Sequence, residues 1–198
     1  MPIDVAQSAA QALVDHLAAT VQVAYNGVTG PLRVRRGWNE DTESYSTVDG
    51  PVAAVTAIGE PRASYHVPFT AERAATPFTW KVADLDISLQ LDLWAPHRHT
   101  RDVVAEAVGR ALHNDIPHRG GLYLTHSDYY GRPLTIHAEG GRSLDQDNLT
   151  PSAAEWRTMW TLRAESAKVV QAATPQQLNW ELRFLEGAVL LESYSISP

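Results

Sequence analysis

Asp84-Leu85-Asp86-Ile87-Ser88-Leu89-Gln90-Leu91-Asp92-Leu93-Trp94 alternates polar and apolar residues almost without a fault. Successive side chains of a strand take opposite faces, so Leu85, Ile87, Leu89, Leu91 and Leu93 form one apolar face. Asp84, Asp86, Ser88, Gln90 and Asp92 form the other, which is polar and carries three aspartates. The run therefore predicts a long, half-buried β-strand. Trp94-Ala95-Pro96-His97-Arg98-His99-Thr100 follows as a turn, and a helix is expected from about Arg101 to His113.

Working outward, a second amphipathic strand is legible at 156–165. Trp156, Thr158, Trp160, Leu162 and Ala164 alternate there with Arg157, Met159, Thr161, Arg163 and Glu165. Arg157 and Arg163 on its outer face suit the outward aspartates of the first strand, because opposite charges facing each other across strands favour pairing. Leu122–His126 and Leu134–Ala138 read as further strands, and Leu178–Leu185 with Val189–Ile196 reads as a terminal hairpin about Glu186-Gly187. An opening helix from about Asp4 to Thr20 is expected from the stripe Ala6, Ala10, Leu13, Val14 and Leu17, with Asp4 as its N-cap.

The segment 26–30, Asn-Gly-Val-Thr-Gly, reads as a turn-rich break, followed by a short strand at 32–35 and another at 52–58. Residues 37–50 and 140–152 read as long polar loops, and 61–77 as irregular chain. Loops of this length are functional or disordered as a rule. Trp38 and Tyr45 in the first loop, and Arg142 and Asp145 in the second, are the candidate contacts for partners.

The sum is an α+β fold: a mainly antiparallel sheet with two principal helices packed on one face, and long loops. The strand–helix–strand piece 84–126 is compatible with a right-handed crossover. Leu85, Ile87, Leu89, Leu91 and Leu93 are expected to pack against Leu13, Leu17, Val104, Val108 and Leu112.

At 198 residues the chain reads as one domain, with an insertion-like polar segment at about 37–77. It has no cysteine, which excludes disulfides, thiolate metal sites and cysteine nucleophiles. A formal charge of −7 gives no electrostatic reason to grip nucleic acid. The start lacks a secretory signal, no run is long enough to span a membrane, and a soluble protein made in the cytoplasm is expected.

Catalytic motifs are weak. His97 and His99 lie two apart in a turn, with no His-Glu-x-x-His helix to accompany them. Ser127-Asp128 after His126 lacks a Gly-x-Ser-x-Gly elbow, and Gly120-Gly121 and Gly140-Gly141 read as turns rather than phosphate loops. Three aspartates spaced about 7 Å apart on one strand do not converge on a cation without ligands from elsewhere. No catalytic residue, metal or cofactor is expected.

The opening helix, the strand ending in Leu91-Asp92-Leu93-Trp94-Ala95, the helix Val103-Val104-Ala105-Glu106-Ala107-Val108-Gly109-Arg110-Ala111-Leu112 and the following Leu122-Tyr123-Leu124 come in an order that resembles the tail terminator proteins of long-tailed bacteriophages. The likeness covers residues 84–165 and, more loosely, the opening helix. This chain is longer than the commoner members and inserts residues 37–77 before the central strand.

The resemblance implies a structural virion protein, not an enzyme. It would form a homo-hexameric ring on the tail tube, end tube polymerisation and dock the tail to the neck proteins of the head. Its partners would be itself, the tube protein and the neck or head-completion proteins, while DNA passes through unbound. Asp84, Asp86, Asp92, Arg157 and Arg163 would then face the lumen or a neighbouring subunit. The competing readings are another head–tail connector, head-closure or tube component, and a histidine-metal enzyme. A tube subunit needs a long joining hairpin, whereas the terminal hairpin here is short and late.

Overall fold

The computed structural model describes residues 4–37, 47, 49–65, 71–72, 78–113, 121–126, 132–150, 153–172, 179–185 and 188–194. In chain order the elements are α1 (Val5–Thr20), β1 (Gln22–Tyr25), β2 (Val28–Pro31), β3 (Arg33–Arg36), β4 (Val52–Tyr65), β5 (Ala71–Glu72) and β6 (Phe78–Ala95). They continue with α2 (Arg98–Ala111), β7 (Leu122–Thr125), β8 (Pro133–Thr150), β9 (Ala153–Ala172), β10 (Asn179–Leu185) and β11 (Ala188–Tyr194). The fold is α+β, two helices with mostly antiparallel strands. The chain, read from sequence as one domain, divides into two compact units: Met1–Ser64 with Asp84–Ala167, and Tyr65–Ala83 with Lys168–Pro198.

The first unit is built on the alternation of β6. Leu85, Ile87, Leu89, Leu91 and Leu93 are all buried, and they share one core with Leu13 and Leu17 of α1 and with Val104, Val108 and Leu112 around α2. Leu122, Leu134, Ile136, Trp160 and Leu162 complete that core from β7, β8 and β9. α1 starts where the sequence places it: the Asp4 carboxylate accepts from the Ala6 and Gln7 backbone N–H groups at 3.0 and 3.2 Å, satisfying two of the donors a helix start leaves open. The two helices are tied at their ends, since a ring N–H of His16 donates to the Ala111 carbonyl at 2.9 Å, an acceptor that the last turn of α2 leaves open.

The main sheet runs in the order β3-β4-β6-β9-β8-β7, with β5 paired to β6. β7 pairs antiparallel with β8, and β8 antiparallel with β9. Asp86 of β6 reaches Arg163 of β9, while Asp92, six residues on, reaches Arg157, six residues back. β6 and β9 are therefore antiparallel as well. Three antiparallel steps leave β6 and β7 running in opposite directions, so the strand–helix–strand piece is not a parallel crossover. β3 and β4 pair in parallel, over Val52–Val55 of β4.

Three further segments depart from the sequence reading. Residues 26–30 are not a simple break: Asn26 (φ 51°) and Gly27 (φ 77°) turn β1 into β2, with Tyr25 opposite Val28. Two positive φ values on an Asn-Gly pair suit the tight hairpin turn whose twist matches its strands. β4 extends through Pro61 to Tyr65, where the sequence suggested irregular chain. β3 covers only Val52–Val55, so beyond that point one edge of β4 needs no β3-facing donor and proline is tolerated.

The third departure is the segment 140–150, which is strand rather than loop. β9 supplies a full amphipathic ladder for it to pair with, and register shifts between Ala138 and Arg142 and between Arg142 and Leu144 absorb the mismatch around Gly140-Gly141.

In the second unit β5 pairs with the start of β6, Ala71 opposite Trp80. β10 and β11 form a separate antiparallel hairpin with Leu185 opposite Ala188, close to the bounds the sequence suggests.

Candidate interaction face

The polar face of β6 and the outward face of β9 lie side by side, and period-two alternation puts Arg157 and Arg163 on the same side of the sheet as the aspartates. Both arginines are engaged within the chain. Arg157 donates to Asp92 Oδ1 through Nε at 2.9 Å and Nη2 at 2.7 Å, and Gln90 Nε2 donates to Asp92 Oδ2 at 2.7 Å. The Arg157 guanidinium also lies 5.7 Å from the centroid of the Trp94 ring, within the range of a cation–π contact.

These contacts correct one expectation. Asp92 was placed on the solvent side with Asp84 and Asp86, but its side chain has 0% exposure while its arginine keeps 23%. The strand register is as expected, since Leu91 and Leu93 remain in the core. What differs is the cover: a carboxylate with bonds to both oxygens tolerates burial that a bare one would not.

Farther along, the face opens to solvent. Arg163 bonds Asp86 Oδ2 at 2.9 Å and Glu165 Oε1 at 2.9 Å, with all three side chains 41–48% exposed. His137 of β8 comes within 3.5 Å of Glu165, an ion pair only when the imidazole is protonated. Asp84 is exposed. The result is a graded surface, a closed ion pair at the Trp94 end of β6 and an open charge ladder toward Asp84. Arg157 and Arg163 hold acids of their own chain, the cross-strand pairing that face and charge suggest in the sequence.

No protein-family model matches this chain, and no curated protein matches it.

The other candidate residues fall elsewhere. Trp38 and Tyr45 lie outside the described residues. Arg142 and Asp145 are not on a loop: they sit in β8, opposite Trp160 and Thr158 of β9. His97 and His99 are exposed at the entrance of α2, where His97 occupies the N-cap position without a side-chain capping bond. Among the described residues, no three His, Cys, Asp or Glu side chains group as metal ligands. No described helix is long and apolar enough to cross a membrane.

One polar cluster escaped the sequence reading. His126 is 1% exposed and sits between two hydroxyls, with Nδ1 3.0 Å from Ser8 Oγ and Nε2 2.9 Å from Ser166 Oγ. Ser127 and Asp128, its neighbours in sequence, lie outside the described residues. The cluster joins α1, the end of β7 and β9 through the core. With Ser8 and Ser166 buried too, its geometry is that of a structural tie. No sequence spacing announces it, because its members are 118 and 40 residues apart.

Proposed function

We propose that this chain is a structural protein of a long-tailed phage virion. It forms a homo-hexameric ring at the top of the tail tube, ends tube polymerisation and docks the tail to the neck proteins of the head. One observation carries the reading: the elements on which the sequence resemblance rests make a single packed core. α1, β6 with its Trp94-Ala95 end, α2 and β7 follow one another in the order the resemblance requires, and their apolar residues fall in one cluster.

The chemistry of the outer face agrees. Its charges form structural pairs, and its open end carries Asp84, Asp86 and Glu165. Acid facing a channel keeps phosphate from adhering as DNA passes, so the proposed ring needs no specific DNA contact. With Asp92 closed off, that lumen role rests on Asp84 and Asp86. The ring's other partners are the tube protein and the neck proteins, and its place is the virion after synthesis in the host cytoplasm.

Copy number in purified virions tests this reading. A tail terminator is present at about one ring per particle, six copies. Absence from virions, or a single copy, overturns it. Hundreds of copies would move the chain to the tail tube.

A further inference from the structure

Asn26 stands apart from the other asparagines of the chain. It alone is followed by glycine, whereas the others precede Glu40, Asp115, Leu149 and Trp180. That neighbour matters chemically. A side-chain amide can be attacked by the main-chain nitrogen of the next residue, and glycine puts no Cβ in the way. At Gly27 the approach is open, since even a Cβ built there would meet nothing within 4 Å. Asn26 and Gly27 are both exposed, and among the described residues neither the Asn26 side chain nor the Gly27 N–H forms a hydrogen bond. Electrophile and nucleophile are adjacent and unengaged.

We propose that Asn26-Gly27 is a self-modification site, which deamidates through a cyclic imide at a rate set by opening of the β1–β2 hairpin. The Gly27 nitrogen, having given its proton to solvent base, bonds to Asn26 Cγ. The Cγ–Nδ2 bond breaks, and Nδ2 leaves as ammonia with a proton taken from water. Water then opens the ring at either carbonyl, giving aspartate or, with the main chain rerouted through Cγ, isoaspartate. One water is consumed and one ammonia released, and nothing is oxidised or reduced.

The fold restrains the first step. φ values of 51° and 77° hold the tight turn, and the ladder beside it, Tyr25 opposite Val28 and Ala24 opposite Thr29, limits the rotation that would swing the Gly27 nitrogen onto Cγ. β1 and β2 form a two-stranded sheet of their own, with Val28, Thr29 and Pro31 of β2 exposed. Such a hairpin opens locally at less cost than global unfolding. Asp49-Gly50 is the internal control. There the Gly50 N–H donates to the Thr47 carbonyl at 3.0 Å, and Asp49 offers a carboxylate, 4.0 Å from Arg33, which is a poorer electrophile than an amide. The product matters to the hairpin. Isoaspartate adds a backbone carbon to a two-residue turn whose length fixes the strand register. Either product puts a negative charge into the stretch Gln22 to Leu32, which has no Asp, Glu, Lys or Arg.

Full-length protein aged in mildly alkaline buffer, folded and in urea, tests this, with peptides read by mass spectrometry that separates isoaspartate from aspartate. In the folded chain Asn26 is expected to convert severalfold faster than any other asparagine, with isoaspartate as the major product, and Asp49 to stay unisomerised. Conversion at Asn26 is expected to be severalfold faster again in urea. Val23→Ala trims a buried side chain of β1 and is expected to raise the folded-state rate severalfold while leaving the rate in urea unchanged. An intact Asn26 in the folded chain, over a period in which the urea sample converts, overturns the site. Aspartate without isoaspartate overturns the imide route. Equal rates in the folded chain and in urea, or no acceleration in Val23→Ala, overturn the control by the hairpin. The inference does not depend on the ring reading, and none of these outcomes bears on it.

Discussion

Arg157 holds Asp92 through two N–H groups on one carboxylate oxygen, and the acid is wholly buried while the base stays partly in water. Removing the base leaves a buried charge with only Gln90 to compensate it. Arg157→Ala is therefore expected to cost about 3 kcal/mol, the lower end for a broken buried pair. Arg163→Ala removes a pair in which both side chains are more than 40% exposed, and solvent screening limits its cost to under about 1 kcal/mol. Urea unfolding of the two variants measures the difference. Equal losses would show that burial does not separate the two ends of the ladder.

Leu89 lies at the middle of the buried face of β6 with 0% exposure. Leu89→Ala should cost about 2–5 kcal/mol, the range for deleting a buried leucine side chain. His97→Ala and His99→Ala alter exposed side chains and should change stability by less than about 0.5 kcal/mol. Loss of function in either histidine variant, with the fold intact, would favour the metal-enzyme reading.

The parts of the fold legible in sequence are those where one period dominates. β6 and β9 alternate through their cores, and α1 carries both a stripe and an N-cap, so existence, type and inner face could all be read. The pairing of Arg157 and Arg163 with the aspartates followed from face and charge. The depth of Asp92 did not, because burial on the polar face depends on Gln90 and Arg157 bonding its two oxygens, with Arg157 itself held over the Trp94 ring. β8 beyond Ala138 was hidden by its polar composition and its glycines, and only the β9 ladder explains it. The Asn26-Gly27 hairpin was readable from its turn residues, but the polar and glycine-rich residues around them masked the signal.

Gly121, read from sequence as a turn residue, lies in the bend before β7 and is fixed there by a close approach. A Cβ there would stand 2.8 Å from the Ile136 carbonyl oxygen and 2.9 Å from Thr135 Cγ2. The carbonyl belongs to β8, where Leu122 pairs with Ile136, so it cannot move without disturbing the ladder. Gly121→Ala is expected to destabilise by about 1–3 kcal/mol through overpacking. Thermal unfolding reads this directly, and a neutral result would mean that β7 shifts along β8 at little cost.

In the proposed ring, the open end of the charged face would border the DNA channel. Asp84→Lys with Asp86→Lys should leave heads and tails joined but slow DNA ejection, and the delay should shrink as salt rises, since exposed charges are screened over about 8–10 Å at physiological ionic strength. Asp92 is left intact, because a lysine there would meet Arg157 in a buried site. Ejection timed at two salt concentrations gives the answer. Failure of heads and tails to join would place this face at a subunit contact rather than in the lumen.

The central claim is that the chain caps a tail tube as a ring, and negative-stain imaging of the purified protein mixed with tail tubes tests it most directly. The account predicts a six-fold ring at one tip of each tube and tubes that no longer elongate when fresh tube subunits are added. Tubes that keep growing with bare tips, at protein concentrations where the fold is intact, would contradict it.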